Sequence, residues 1–340
     1  MTSVLFVTDA WRPQINGVMR TLEHTIQALE RIGIRSEVLG PDGFTTLPCP
    51  TYPDIRLALT TRRRLSRMIA EADCAHVHIA TEGPLGLLAG SARRRHGQTY
   101  TTSYHTRFPE YIAARAPVPV APLYAWLRRF HNRGSGCMVA TESLHSDLAG
   151  RGFRNLMRWP RGVDTDLFRP MAETGLFADL PRPIWLNVGR VAVEKNLPAF
   201  LGLDLPGTKV VVGDGPHLPQ LRRRYPQTRF VGAKSGAELA RHYAAADVFV
   251  FPSRTDTFGM VMLEALAAGL PVAAFPVMGP RDVIAHGRTG MLSEDLGAAA
   301  LAARDLSRAE CRTVAESRGW SACTEQFVQN LSRAEPATVA

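Results

Sequence analysis

The segment from Phe251 to Glu264 reads as the end of a buried strand, a tight turn and the start of a helix. An apolar run over Asp247–Pro252 leads into it, and a helical pattern over Met260–Ala268 follows. Phe258-Gly259 stand at the turn between the two. This arrangement aims backbone N–H groups and the positive end of a helix dipole at one spot, so it predicts a phosphate-binding turn.

Two carboxylates, Asp256 and Glu264, flank that turn eight positions apart. Carboxylate oxygens accept hydrogen bonds from sugar hydroxyls, so the turn and the carboxylates together indicate a nucleotide-sugar site. A hydrolase with two catalytic carboxylates is the alternative. It is disfavoured because both residues lie beside a phosphate-type helix start, where they are better ligands than acid and base.

The chain of 340 residues is long enough for about two domains, each with its own core. A hydrophobic content of 45% and a charged content of 21% are typical of soluble globular proteins. The sequence shows neither a transmembrane span nor a charged leader before its first apolar run, so we expect a cytoplasmic protein. The five cysteines are scattered, which favours reduced thiols, and we expect no metal site.

Apolar strand-like runs alternate with helical patterns along the chain, which predicts parallel βαβ units and an α/β fold of two doubly wound, Rossmann-like domains. An irregular, proline-containing stretch over Leu167–Pro183 reads as the linker. We therefore predict an N-terminal, acceptor-side domain over residues 1–166 and a C-terminal, nucleotide-sugar-binding domain over 167–317. Ligands of such sheets bind outside the carboxyl ends of the strands, so we expect a cleft between the domains.

The net charge of +9 comes almost wholly from arginine. Three clusters lie in the first half of the chain, at Arg62–Arg64, Arg93–Arg95 and Arg128–Arg129. They read either as solvated helix faces or as a basic surface for anionic lipid headgroups, with about 1 kcal/mol per charge near a membrane. Nucleic acid is a weaker third reading, because no nucleic-acid-binding motif accompanies the charge.

A second group of candidates follows the strand at Ile184–Val188, where Gly189-Arg190 and Lys195 stand on one loop. Two cations on a strand-end loop are suited to hold a diphosphate from two sides and to stabilise the charge that grows on a departing phosphate. A surface salt bridge with Glu194 is the alternative. Further along, Gly213 ends a strand in a tight turn that could touch a nucleotide but reads better as a plain turn, and Lys234 ends a strand near the expected base site.

In the first half, Gly17 opens a helix after the first strand, where a ligand can approach the backbone closely, although a simple helix start explains it too. The surrounding sequence is not a G-x-G-x-x-G fingerprint, which disfavours a dinucleotide oxidoreductase. His105 follows another apolar strand and reads as a ligand contact or as a structural histidine. His131, His217 and His286 read as surface or loop residues.

In this order, the motifs resemble those of the retaining GT-B glycosyltransferases of family four. Asp256…Glu264 resembles the family's carboxylate pair, with Asp where the family usually has Glu, and Arg161-Gly-Val-Asp164 is a further match. The motifs Val7–Val18, Tyr104–Tyr111 and Leu127–His131 resemble those of bacterial sulfoquinovosyl-, glucosyl- and glucuronosyl-diacylglycerol synthases and related mannosyltransferases.

The resemblance implies a GT-B fold and a set of residue roles. Glu264 would hold the ribose, Asp256 the donor sugar, and Arg190 and Lys195 the diphosphate without a metal or other cofactor. His105 would contact the donor sugar, and a helix at about 318–335 would cross back to the first domain. The remaining implied donor contacts are Asn16, Gly17, Val18, Gly189, Gly213, Lys234, Thr257, Phe258, Gly259, Met260 and Val261, and Tyr104 and Arg107 would lie on the acceptor side.

The function expected from this resemblance is a hexosyltransferase that moves a sugar from a UDP-sugar to a membrane lipid such as diacylglycerol, with retention, on the inner face of the cell membrane. The alternative within the class is a GDP-mannose-dependent mannosyltransferase. A nucleotide-sugar epimerase and a non-enzymatic lipid-binding protein are the hypotheses from other classes. The epimerase would need acid/base side chains around the anomeric and neighbouring carbons, and the loops offer no obvious set. The lipid-binding protein would leave Arg190, Lys195, Asp256 and Glu264 without an evident task.

Overall fold

The computed structural model describes residues 3–12, 14, 16–49, 52–114 and 116–334. The chain divides into two compact units. The first comprises residues 1–109, 119–161 and 320–340, and the second comprises 110–118 and 162–319. The predicted boundary at 166 thus lies five residues beyond the end of the first unit's central segment. Glu335, the last residue of the predicted crossing helix, lies outside the described residues.

The first unit is built on a parallel sheet in the order β2-β1-β5-β6-β7-β8. Its strands are β1 (Ser3–Val7), β2 (Arg35–Leu39), β3 (Thr46–Cys49), β4 (Tyr52–Ala58), β5 (His76–Ile79), β6 (Thr101–Tyr104), β7 (Gly136–Val139) and β8 (Leu156–Arg158). β3 and β4 form a separate antiparallel hairpin. The sequence reading missed this hairpin because prolines at 48 and 53 are typical of edge strands or of no strand.

Helices cover both faces of this sheet. They are α1 (Gly17–Arg31), α2 (Arg62–Glu71), α3 (Pro84–Arg95), α4 (Phe108–Ala113), α5 (Val120–His131) and α6 (Glu142–Gly150), of which α4 runs into the second unit. One core layer lies around Leu65 and Tyr100, and the opposite layer lies around Phe6 and Trp159.

The second unit carries a parallel sheet in the order β11-β10-β9-β12-β13-β14. Its strands are β9 (Ile184–Val188), β10 (Thr208–Val212), β11 (Arg229–Gly232), β12 (Val248–Phe251), β13 (Val272–Ala274) and β14 (Gly290–Leu292). This is the 3-2-1-4-5-6 order of a dinucleotide-binding fold, in which the order reverses between the first and fourth strands. The reversal falls between β9 and β12, which pair directly through Trp185 and Val248.

The helices of the second unit are α7 (Leu197–Leu201), α8 (Leu218–Arg224), α9 (Gly236–Ala245), α10 (Met260–Ala267), α11 (Pro280–Val283), α12 (Leu296–Ala303) and α13 (Arg308–Glu316). They enclose a core around Trp185, Phe200 and Val250. The predicted two-sheet α/β architecture is therefore confirmed.

The last helix, α14 (Trp320–Arg333), belongs to the first unit. Trp320 stacks on His24 of α1 with ring centroids 4.7 Å apart, and Phe327 stacks on Phe6 of β1 at 5.5 Å. Residues 317–319 separate α13 from α14, and Gly319, of a residue type that forms helices poorly, directly precedes α14.

Candidate active site

The turn between β12 and α10 has the backbone conformation that a phosphate-binding turn requires. Gly259 stands at the N-cap of α10 with φ of 81°, a left-handed value that favours glycine. A Cβ there would lie 2.8 Å from the Met262 side chain and 3.0 Å from the ring of Phe251. Gly259 has no side chain that could cap α10, and the first turn of the helix, which contains Met260 and Val261, carries the positive end of the helix dipole, which favours an anionic group.

Lys195 and Asp256 form an ion pair beside this turn. Lys195 ends a 3-10 turn over Val193–Lys195 that follows β9, and its Nζ donates to Oδ1 of Asp256 at 2.5 Å. Burial opposes the charged ammonium, but Asp256, Tyr111 and Glu194 together outweigh burial, so the pKa of Lys195 is raised above its usual value. The lysine therefore stays charged at any physiological pH.

The second carboxylate oxygen of Asp256 is available to a ligand. Oδ2 is buried and accepts no hydrogen bond from the residues that the structure describes. Leaving a buried acceptor without a donor costs about 1–3 kcal/mol. A ligand hydroxyl that donates to Oδ2 would remove this cost.

Side chains near the end of β12 hold the cationic loop in place. The side-chain amide of Asn196 donates to the carbonyl of Pro252 at 3.1 Å. Ser253 and Thr255 donate through their hydroxyls to the carbonyl of Glu194, at 3.2 and 3.4 Å. Glu194 is itself buried, so it does not lie at the surface, where the alternative of a surface salt bridge placed it.

Glu264 lies one turn into α10 and is 4% exposed. Its Oε2 accepts a hydrogen bond of 2.8 Å from the hydroxyl of Tyr243, a buried side chain of α9. Tyr243 therefore fixes the orientation of the carboxylate. Phe258 is buried beneath the same turn, and Thr257 is half-buried at its rim.

The glycines near β9 and β10 serve the fold as well as any ligand. A Cβ on Gly213 would stand 1.8 Å from the carbonyl oxygen of Gly189, and one on Gly215 would stand 2.5 Å from that of Val191. Close packing of two loops thus explains Gly213 without a ligand. Lys234 follows β11 and pairs with Glu238 at 2.6 Å.

In the first unit, Asn16 and Gly17 play different parts. Oδ1 of Asn16 accepts from the N–H of Met19 at 2.9 Å, so this side chain caps α1. Gly17 and Val18 open the helix. A Cβ on Gly17 would meet no atom of the described residues within 4 Å, so packing among those residues does not require glycine there.

His105 lies just beyond β6 and is tied to Arg161. Nη2 of Arg161 approaches Nδ1 of His105 to 3.0 Å. Burial lowers the pKa of His105 well below its usual value, and the charge of Arg161 lowers it further. Arg107, two residues on, is half-buried.

Two readings of the first unit need correction. Tyr104 is fully buried between His131 and Phe153, so it is a core residue rather than a surface for an acceptor. His131 is not a surface residue. It is 1% exposed and contacts Thr102 at 2.9 Å and Glu82 at 3.0 Å. The sequence missed His131 because three apolar residues, Tyr124, Leu127 and Phe130, mark the buried face of α5, whereas a polar residue on that face gives no such signal.

Sequence reasoning also missed Tyr243 and Asn196, and it gave Arg161 no role although its motif was noted. The first two act through contacts with residues distant in sequence, and a single sequence carries no signal of such contacts. Within the described ranges, no three His, Cys, Asp or Glu residues gather in a way that could hold a metal ion. No helix in this part of the chain is both long and apolar enough to cross a membrane.

Two family models match the chain, one to each half. The model described as Glycosyltransferase Family 4 matches residues 15–167, and that described as Glycosyl transferases group 1 matches residues 183–308. A GDP-mannose-dependent alpha-mannosyltransferase of Mycobacterium tuberculosis is 32% identical over 85% of this chain and 83% of its own length. The chain belongs to the family-four glycosyltransferases.

Other family-four relatives differ in the substrates that their names give. The sulfoquinovosyl transferase of Arabidopsis thaliana is 31% identical over 74% of this chain and 52% of its own length. The alpha-monoglucosyldiacylglycerol synthase of Streptococcus pneumoniae is 25% identical over 78% of this chain and 69% of its own.

Solved structures show the same fold at lower identity. Anabaena HepE in complex with UDP-glucose aligns with a TM-score of 0.75 and 16% identity, over 98% of this chain and all of that one. The predicted GT-B fold class is confirmed. This glycosyltransferase thus carries Lys195, Asp256 and Glu264 at the carboxyl ends of β9 and β12, where open α/β sheets bind ligands.

Proposed function

We propose that this glycosyltransferase moves a hexose from a UDP-sugar to the hydroxyl of a membrane lipid such as diacylglycerol, with retention and without a metal. The observation that carries the proposal is the ion pair of Lys195 and Asp256. One carboxylate oxygen binds the lysine and the other is buried without a donor among the described residues. This pair lies beside the N-terminus of α10.

The cations and the helix N-terminus are assigned to the diphosphate. When the bond between the sugar and the diphosphate breaks, negative charge grows on the departing phosphate. Arg190, Lys195 and the first N–H groups of α10 stabilise this charge, and they do so more strongly in the transition state than in the ground state. Because Lys195 remains charged, we expect no divalent cation to be needed.

The carboxylates are assigned to hydroxyl groups of the donor. Asp256 accepts from the sugar through Oδ2, and Glu264 accepts from the ribose while Tyr243 occupies its other oxygen. Asp is one methylene shorter than Glu, so the sugar hydroxyl must approach Asp256 more closely than it would a glutamate. Gly17 and His105 keep their predicted roles at the phosphates and the sugar.

A basic surface with an exposed tryptophan supports a membrane-bound acceptor. Trp126 of α5 is 46% exposed, and Arg129 lies one turn further along the same helix. Burial lowers the pKa of Arg133, and the nearby charges of Arg129 and of Arg94 in α3 lower it further. We call Trp126, Arg129, Arg133 and Arg94 the basic face. Tryptophan and arginine together are typical of helices that lie in the lipid headgroup region, on the inner leaflet in this proposal.

The test is a donor and acceptor panel. The full chain is incubated with UDP-glucose, UDP-glucuronic acid, UDP-sulfoquinovose or GDP-mannose and with vesicles containing diacylglycerol, with and without EDTA. Mass spectrometry identifies the lipid product, and NMR of its anomeric proton shows whether the configuration is retained. A glycolipid made from a UDP-sugar in the presence of EDTA, with retention, is the expected result. Failure with every donor, or loss of activity in EDTA, contradicts the proposal.

GDP-mannose is the second candidate donor. It is favoured by the relative named for GDP-mannose, which is 32% identical and matches most of both chains. The same panel separates the two, because a product from GDP-mannose alone would replace the UDP-sugar in the proposal and leave the roles of Lys195, Asp256 and Glu264 unchanged.

A further inference from the structure

Arg161 is a buried cation with an unusual set of partners. It is 5% exposed, and its Nη1 donates to the backbone carbonyls of Trp159 and Pro160, at 2.6 and 3.0 Å. Its guanidinium also lies over the ring of Trp159, 4.5 Å from the centroid. These contacts fix the orientation of the guanidinium, and its other terminal nitrogen, Nη2, is the one that approaches His105.

A guanidinium can only donate hydrogen bonds, so the atom it approaches must be an acceptor. The 3.0 Å contact therefore requires Nδ1 of His105 to carry no proton. In a neutral imidazole the proton then resides on Nε2, and that nitrogen can only donate.

We propose that Arg161 is a positioning residue that locks His105 in the neutral tautomer with its proton on Nε2, so that His105 donates a hydrogen bond to the substrate and cannot act as its general base. This inference rests on the proposed glycosyl transfer for its consequence, but the tautomer itself is independent of the substrate. The base that takes the proton of the acceptor must then be another group, of the enzyme or of the donor.

The surroundings of His105 favour the neutral form as well. Burial has the largest effect and lowers the pKa of His105, and Arg161 after β8, His78 on β5 and His131 on α5 lower it further. Protonation of Nδ1 would place an N–H against the donor of Arg161. We therefore expect His105 to stay neutral and in one tautomer from about pH 6 to 9, near and above the usual histidine pKa.

The tautomer is measured directly by NMR on the full chain labelled with 15N-histidine. The chain has ten histidines, so loss of one signal set in H105Q assigns His105. The expected pattern shows a proton on Nε2 and none on Nδ1, unchanged across the pH range. A proton on Nδ1, or a titration near the usual histidine pKa, overturns the proposal.

Two variants of similar length test the role of Arg161. R161K retains a cationic donor, and R161M removes it. We expect R161K to keep the Nε2–H tautomer and most of the turnover, and R161M to show a mixture of tautomers with kcat at least tenfold lower. An R161M that keeps a single tautomer and normal kcat overturns the proposal. If R161M does not fold, the wild-type spectrum and R161K still decide it. A chain that transferred no sugar would overturn the proposed function and leave the tautomer measurement valid.

Discussion

At the scale of single residues, the charge of Lys195 has the largest expected effect on turnover. Lys195→Ala removes the cation that faces Asp256 and, in the proposed mechanism, the departing phosphate. Loss of one preorganised electrostatic group costs roughly 100-fold or more in kcat. Steady-state kinetics with the active donor of the panel measures this loss.

The matched control is Arg222→Ala, an exposed arginine of α8. It changes the net charge by the same amount at a distance from the turn, so its kcat should equal that of the wild type. An equal loss in both variants would show that overall charge, and not the position of Lys195, matters.

Tyr243→Phe removes only the hydroxyl that donates to Glu264. A hydrogen bond to a charged group contributes about 1.5–3 kcal/mol. We therefore expect donor KM to rise by roughly tenfold or more, with a smaller change in kcat, because Glu264 is assigned to the ribose and not to the reacting carbon. A fall in kcat with unchanged KM would contradict that assignment.

At the scale of secondary-structure elements, substitution of two glycines distinguishes a glycine that the fold requires from one that only a bound ligand would require. They are Gly213, which follows β10, and Gly17, which begins α1. Gly213→Ala places a Cβ against the carbonyl of Gly189, and overpacking of this kind costs about 1–3 kcal/mol. We expect a Tm several degrees below that of the wild type. Differential scanning calorimetry measures this change.

Gly17→Ala is the companion variant, because a Cβ there contacts no described atom. Alanine is the better helix former, so Tm should be unchanged or slightly higher. If a donor phosphate approaches Gly17 closely, donor KM should rise, on the order of tenfold for a penalty of 1.4 kcal/mol. Normal KM in this variant would leave Gly17 as a simple helix start.

At the scale of the whole molecule, buried histidines of the first unit make stability depend on pH in both directions. Burial lowers the pKa of His78 from 6.5 to about 3, with a smaller contribution from Arg161. His131 is also buried, but Cys137 and Glu82 outweigh burial and raise its pKa to about 10. The unfolded chain has both near 6.5.

The direction in which stability changes with pH follows from the number of protons that the folded and unfolded states bind. Below pH 6.5 the unfolded state binds a proton at His78 that the folded state refuses, so stability falls as pH drops. Above pH 6.5 the folded state keeps the proton of His131 that the unfolded state loses, so stability falls as pH rises towards 10. Denaturant unfolding should give a maximum near pH 6.5. His131→Gln should flatten the alkaline side and leave the acid side unchanged, and an unchanged alkaline slope would refute this account.

The basic face governs the expected membrane association of the whole protein. Charge reversal at Arg129 and Arg133 should weaken binding to vesicles with anionic lipid at least tenfold at low salt, because each charge contributes on the order of 1 kcal/mol. The difference should shrink at high salt. Vesicle co-sedimentation measures it.

Reversal at Arg63 and Arg64 of α2 is the matched control. It tests the first of the three arginine clusters in the sequence, Arg62–Arg64. In this cluster the guanidinium of Arg64 lies over the ring of Phe44, 5.0 Å from its centroid. A larger effect from this pair would move the membrane surface to α2. No effect from either pair would reject a basic membrane face.

The sequence by itself determined the α/β class, the alternation of strands and helices in both units and the turn at Asp256–Glu264. The periodicity of apolar residues and a glycine at a strand-to-helix turn are local features of the sequence, and they are enough to predict where strands, helices and turns form. Elements in which these local features are weak were not predicted. The hairpin of β3 and β4 contains prolines, and the helix α4 is short.

Only the tertiary structure decided which side chains meet. The pairs Lys195–Asp256, Tyr243–Glu264 and Arg161–His105 join residues 61, 21 and 56 positions apart. Each contact depends on the order of strands in a sheet or on the packing of helices against it, and one sequence does not record that order. The same packing buried Tyr104 and His131 and left Trp126 exposed, because burial is set by which elements become neighbours and not by the chemical character of a residue alone.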